Sequence, residues 1–160
     1  MSRKPETGLL VLRVAMGIIF LLHGSMKLFG GRESFVREML AMVGWDMPNV
    51  LLTLVAIVET LGGLALMLGL FARLAGLVLA VEMVVAVALF HLGQGFFIVA
   101  IPNVPLAYGF EYHVALVGGL ICIALGGPGA GALQEKIRSP SASASMPGGS
   151  VEGGRPETGP

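Results

Sequence analysis

The sequence is poor in charge and in cysteine. Only 12% of its 160 residues are charged and the formal net charge is zero. No basic tract exists to follow a phosphate backbone, so nucleic acid is excluded as a partner. A lone cysteine, Cys122, rules out an intramolecular disulfide, a CxxC redox pair and a cysteine-rich metal site. It falls inside an apolar run and reads as a core thiol. No HxxxH, ExxH or CxxCH spacing occurs and there is no glycine-rich nucleotide loop, so no metal is expected. Any electron carrier must be a diffusible molecule or sit in another subunit.

Apolar residues take the place of what is missing. Hydrophobic side chains make up 55% of the chain and the mean hydropathy is +0.85, values of an integral membrane protein. Four segments approach the roughly 20 residues that span a bilayer core: Leu9 to Phe29, Val50 to Leu70, Leu74 to Leu92, and Gly109 to Gly127. Backbone groups in lipid must be satisfied internally, so each is predicted to be a helix. Arg3 and Lys4 precede the first run, but no AxA-like cleavage site interrupts it; it reads as a retained spanning helix. The predicted fold is an all-α, integral membrane four-helix bundle.

The connections refine this picture. Phe71, Ala72 and Arg73 leave room only for a tight antiparallel turn between the second and third segments. Gly30 to Asn49 is long and amphipathic, which predicts a short interfacial helix anchored by Trp45. Gly93 to Tyr108 carries no charge but includes Phe96, Phe97, Ile98, Pro102 and Pro105, and reads as a re-entrant or lid-like loop. The chain divides into residues 1–8, a transmembrane domain at 9–129, and a tail at 130–160 whose Ser, Ala, Pro and Gly content after Ile137 predicts disorder. Arg3, Lys4, Arg73, Lys136 and Arg138 fall on one side, against Arg32 and Arg37 on the other, which places both termini in the cytoplasm.

Within this apolar frame the charged and titratable residues are conspicuous: Arg13, His23, Lys27, Glu59, Glu82, His91, Glu111 and His113. A carboxylate at the centre of a membrane helix costs roughly 2.5 to 3.5 kcal/mol, so each needs a partner, water or a proton. At about 1.5 Å per residue, His23 and Lys27 lie in the outer half of the first helix, Glu59 about 14 Å below the outer end of the second, and Glu82 about 12 Å above the inner end of the third. Glu111 and His113 open the fourth at its outer end. His23 and Lys27 share a face, with Arg13 within about 80° of both on an ideal helix.

Gly62 and Gly63 follow Glu59 and offer a small surface on which another helix can approach, bringing Glu59 to a cation of the first helix. Gly76 and Ala80 form a similar step that reads as packing. Glu82 and His91 are nine residues apart and oppose each other on an ideal helix, so they cannot both face one cavity without distortion. Arg13 lies near the inner interface and is expected to snorkel. Met16, Met26, Met67 and Met83 read as packing residues.

His23-Gly-Ser-Met-Lys27, Val58-Glu-Thr-Leu-Gly-Gly63, Gly69-Leu-Phe-Ala-Arg-Leu-Ala75, Val81-Glu-Met83, His91 with Gly95-Phe-Phe97, and Gly109-Phe-Glu-Tyr112 occur in that order. In order and spacing the chain resembles the DoxX family of small bacterial membrane proteins, over about Leu9 to Gly129. The resemblance implies a multi-pass protein of the inner membrane, in a group whose named members are associated with a thiosulfate:quinone oxidoreductase and with membrane redox or oxidative-stress complexes.

Two functional readings follow. In the first, the chain is a quinone-linked redox component or membrane subunit of an oxidoreductase complex. Lys27 and His23 bind or polarise an anionic or carbonyl group, Glu59 handles protons, and Arg13, Glu82, His91 and Glu111 complete a polar pocket that holds the cofactor. Its partners are the bilayer, an extrinsic oxidoreductase subunit and a second copy of the chain. In the second, the protein is a non-enzymatic adaptor or small-solute transporter, and the charges hold the fold or form a translocation site.

Overall fold

The computed structural model describes residues 4–29, 48–99 and 107–138, with Ala41 and Gly44. The interfacial helix predicted around Trp45, the prolines of the Gly93 to Tyr108 connection and the tail from residue 139 onward lie outside the described residues.

The apolar runs form α1 (Lys4–Phe29), α2 (Asn49–Leu68), α3 (Ala72–Ala86) and α4 (Glu111–Gly126), and a short α5 (Leu133–Arg138) follows. A π-helical turn, Val87–His91, and a 3-10 turn, Leu92–Gln94, extend α3. Three helices are long and apolar enough to cross a membrane: Lys4–Phe29, Asn49–Leu68 and Ala72–Gln94. α4 is apolar but shorter, because Phe110 precedes it in a non-helical conformation and Gly127, at φ 93°, ends it.

α2 and α3 form the predicted hairpin. Gly69 at φ 69° ends α2; its N–H donates to Leu66 and that of Leu70 to Ala65, the paired bonds that satisfy a helix's last carbonyls. α1 packs along α2, α4 packs along α3, and α1 also meets α4. Phe20, Leu66, Leu79, Met83, Leu116, Leu120 and Ile123 form the shared core. Gly76 lies against the backbone of Leu120 and Ala124, and Ala80 is buried, so this pair serves packing as expected. Val11, Leu22, Val50, Leu61, Leu74, Val81 and Leu125 point outward, the apolar exterior that lipid requires.

Three expectations are corrected. The Gly93 to Tyr108 connection is not loop throughout: Ile98–Val99 (β1) pairs antiparallel with Ala107–Tyr108 (β2). Phe110 and Glu111 donate backbone N–H groups to Gly95 and Phe96, which closes that connection onto the start of α4. Cys122 is exposed on α4, not a core thiol, because Leu120 and Ile123 take the inward face of that turn. Residues 130–138, placed in the tail at 130–160, dock at the α2–α3 turn: Gln134 accepts from the Phe71 N–H at 3.0 Å, and Ala132 is buried.

Candidate functional site

The site begins with backbone contact between α1 and α2. Gly17 faces Gly63 and Met67, Gly24 faces Ala56 and Thr60, and Gly63 faces Leu21, each with no space for a side chain. Interhelical approach of this kind depends on small residues. Lys27 lies three residues beyond Gly24. Helical side chains lean toward their own N-terminus, so in this antiparallel pair Lys27 and Glu59 lean toward each other. The Lys27 ammonium donates to both oxygens of the Glu59 carboxylate at 2.6 Å. The Glu59 side chain is 4% exposed and that of Lys27 20%, a pair desolvated enough for its bonds to hold strongly.

Glu82 stands level with this pair. Gly62 of α2 packs against Leu79 of α3; Glu59 precedes Gly62 by three residues and Glu82 follows Leu79 by three, which in antiparallel helices is the same height. The Glu82 carboxyl group lies within electrostatic reach of Glu59 and Lys27. Both its oxygens are buried without a hydrogen-bond partner among the described residues.

The histidines gather toward the end of α3 away from the α2–α3 turn. The His91 and His113 rings lie 4.2 Å apart, tilted by 41°. The π-turn Val87–His91 supplies the distortion that an ideal helix lacked: its wider turn rotates His91 relative to Glu82 and brings it against α4. The His113 Nδ1 is buried without a hydrogen-bond partner among the described residues, and His23, exposed on α1, is within electrostatic reach of His113. Glu111 accepts a hydrogen bond from the Ile98 N–H at 3.1 Å and so secures β1. Among the described residues no group of three His, Cys, Asp or Glu side chains could hold a metal ion.

Arg13 belongs elsewhere. It does not snorkel: the residue is 1% exposed, and its Nη2 donates to the Ala130 carbonyl at 3.3 Å. Its guanidinium lies against Gly69, whose missing side chain makes the space. Fourteen residues separate Arg13 from Lys27, about 21 Å along a helix. The structure therefore brings together Lys27, Glu59 and Glu82, places His91 against His113 with His23 within electrostatic reach of the latter, and leaves Arg13 at the opposite end. Sequence reasoning did not single out Gly17 and Gly24, although their spacing of two helical turns was a usable signal. Nothing in the sequence marked the π-turn.

A sequence model described as DoxX matches residues 8–92. The chain is 33% identical over 87 residues to a Bacillus subtilis (strain 168) protein named "Putative oxidoreductase CatD", a match covering 54% of the chain and 62% of that protein, less than two thirds of its length. It is 29% identical over 132 residues to the Escherichia coli (strain K12) "Inner membrane protein YqjF", covering 81% of the chain and 92% of the relative. A Haemophilus influenzae (strain ATCC 51907 / DSM 11121 / KW20 / Rd) protein named only "Uncharacterized protein" is 33% identical over 133 residues, covering 79% and 87%. No solved structure matches the chain significantly.

Proposed function

The chain belongs to the DoxX family of membrane proteins, and from that premise we propose that it is a quinone-linked redox component, or the membrane subunit of an oxidoreductase complex, in the bacterial inner membrane. In this reading α4 completes a four-helix membrane bundle with α1, α2 and the extended α3. Both termini are cytoplasmic, in keeping with the Lys and Arg residues gathered at that side. The observation that carries the proposal is the Lys27–Glu59 pair, held between apolar helices by the absence of side chains at Gly17, Gly24 and Gly63. Ionisable residues placed at such cost within a membrane are most often functional. The name of the Bacillus subtilis relative supports redox chemistry.

Lys27 directs its ammonium to the oxygen of a bound quinone, Glu59 handles the proton that accompanies reduction, and His23 approaches from the exposed side of α1. The electron donor is an extrinsic subunit. The test is binding of decylubiquinone by the purified full chain, together with turnover of its native complex in wild-type and Glu59→Gln forms. Binding by the wild-type chain, and turnover lost in the variant while the complex still assembles, supports the proposal; absence of both binding and any turnover change sinks it.

One observation favours a second reading, a non-enzymatic adaptor or small-solute transporter: Lys27 and Glu59 satisfy each other directly. An adaptor keeps its partners, and the cell its phenotype, after Lys27→Met with Glu59→Gln. A redox subunit assembles but stops turning over.

A further inference from the structure

Three ionisable groups meet at one height in α1, α2 and α3, and their charges do not match. Lys27 brings one positive charge, while Glu59 and Glu82 bring two carboxyl groups. The ammonium is committed to both oxygens of Glu59. Glu82 has its two oxygens buried and no hydrogen-bond partner among the described residues. The surrounding elements offer little help. α2 brings Glu59, α1 brings Lys27 and the exposed His23, and α4 adds buried Leu116 and Leu120 to the core that holds Leu79 and Met83. His91, at the end of the π-turn, lies against His113 with the rings tilted by 41°.

We propose that Glu82 is a proton-binding site, and that its proton and the Lys27 ammonium change places between Glu82 and Glu59. In the first arrangement Glu82 is a neutral carboxylic acid and Glu59 a carboxylate bound to Lys27; in the second Glu59 carries the proton and Glu82 binds Lys27. One O–H bond breaks and one forms, and no electrons move. The three groups sum to zero charge in both arrangements, so no uncompensated charge is left in a medium that penalises it. The two acids stand at one height, set by Gly62 against Leu79, and within electrostatic reach of each other, and the flexible stem of lysine with its three rotatable donors suits it to serving two acceptors. Glu59 then handles protons only as the partner of Glu82. This deepens the redox reading by naming the proton carrier of the same site, and rests on that reading only for the use made of the proton.

Infrared spectroscopy of the full chain in lipid at neutral pH, in H2O and D2O, tests it without any quinone, so either idea can fail alone. The wild-type chain is expected to show the carbonyl stretch of one un-ionised carboxyl group. Glu82→Gln is expected to abolish the band, and Lys27→Met to double it, because a second acid then loses its counter-ion. A wild-type spectrum without the band, or a band that survives Glu82→Gln, overturns the proposal. Should Glu82→Gln fail to fold, the wild-type chain is treated with a lipophilic carbodiimide, which attacks protonated carboxyl groups, and the adduct is located by mass spectrometry. An adduct at Glu82, alone or shared with Glu59, supports the assignment, since each acid carries the proton in one of the two arrangements; an adduct at neither overturns it.

Discussion

Gly24 of α1 lies so close to Thr60 of α2 that an added Cβ would stand 2.5 Å from both the backbone nitrogen and the hydroxyl oxygen of Thr60. One turn beyond this contact Lys27 reaches Glu59. Without the close crossing the ammonium would not meet a buried carboxylate. The apolar helix packing and the polar centre are thus one arrangement, set by residues that have no side chain.

Gly24→Leu is therefore expected to push α1 from α2, because the obstruction is partly backbone and cannot rotate away. Overpacking of this kind costs about 1 to 3 kcal/mol. Reversible unfolding of the chain in mixed micelles against increasing SDS measures the loss, and the Lys27–Glu59 coupling should shrink in the same background.

Lys27→Met leaves Glu59 buried and unpaired. Removing one partner from a buried ion pair costs about 3 kcal/mol or more. Lys27→Met combined with Glu59→Leu should recover most of that loss, since it removes the buried acid that must otherwise take up a proton or stay unpaired. A double-mutant cycle by the same unfolding titration checks this; additive losses would show that the two residues are not coupled.

Arg13→Met should separate global from local stability. The Nε and Nη1 of Arg13 have no hydrogen-bond partner among the described residues, and methionine keeps much of the stem's volume. Global stability is expected to stay within about 1 kcal/mol. The loss of the bond to the Ala130 carbonyl should instead loosen residues 127–132, seen as faster protease cleavage there.

Deletion of Leu89 removes the extra residue of the π-turn and restores α-helical phasing. His91 should then rotate away from His113. In NMR spectra the mutual ring-current shifts of the two imidazoles would disappear, whereas Leu89→Ala should preserve them.

The helices were legible because continuous apolar sequence has few alternatives in lipid. Leu9 to Phe29, Val50 to Leu70 and Leu74 to Leu92 lie close to the observed Lys4–Phe29, Asn49–Leu68 and Ala72–Gln94. The pairing of Glu59 with a cation of α1 was also legible, from Gly63 beside it; Gly62, read the same way, faces Leu79 of α3 instead. The short β1–β2 pairing and α5 were not. Each is held by contacts with distant parts of the chain, as when Gln134 receives the Phe71 N–H, and such contacts leave no local period to read.

By itself the sequence determined that this protein lives in lipid, how its helices run, and that Lys27, Glu59 and Glu82 are expensive there and need compensation. Periodicity and hydropathy are local properties, and they suffice for that much. Only the tertiary structure decided which charge meets which. Packing of Gly24 on Thr60 brings Lys27 to Glu59, packing of Gly62 on Leu79 sets Glu82 at their height, and the π-turn carries His91 to His113. It also removed Arg13 from the group, although an ideal helix puts it near that face, because Gly69 and Ala130 enclose its guanidinium at the opposite end. A helical wheel gives the angle of a side chain, but the partner at that angle is set by how close neighbouring backbones can come.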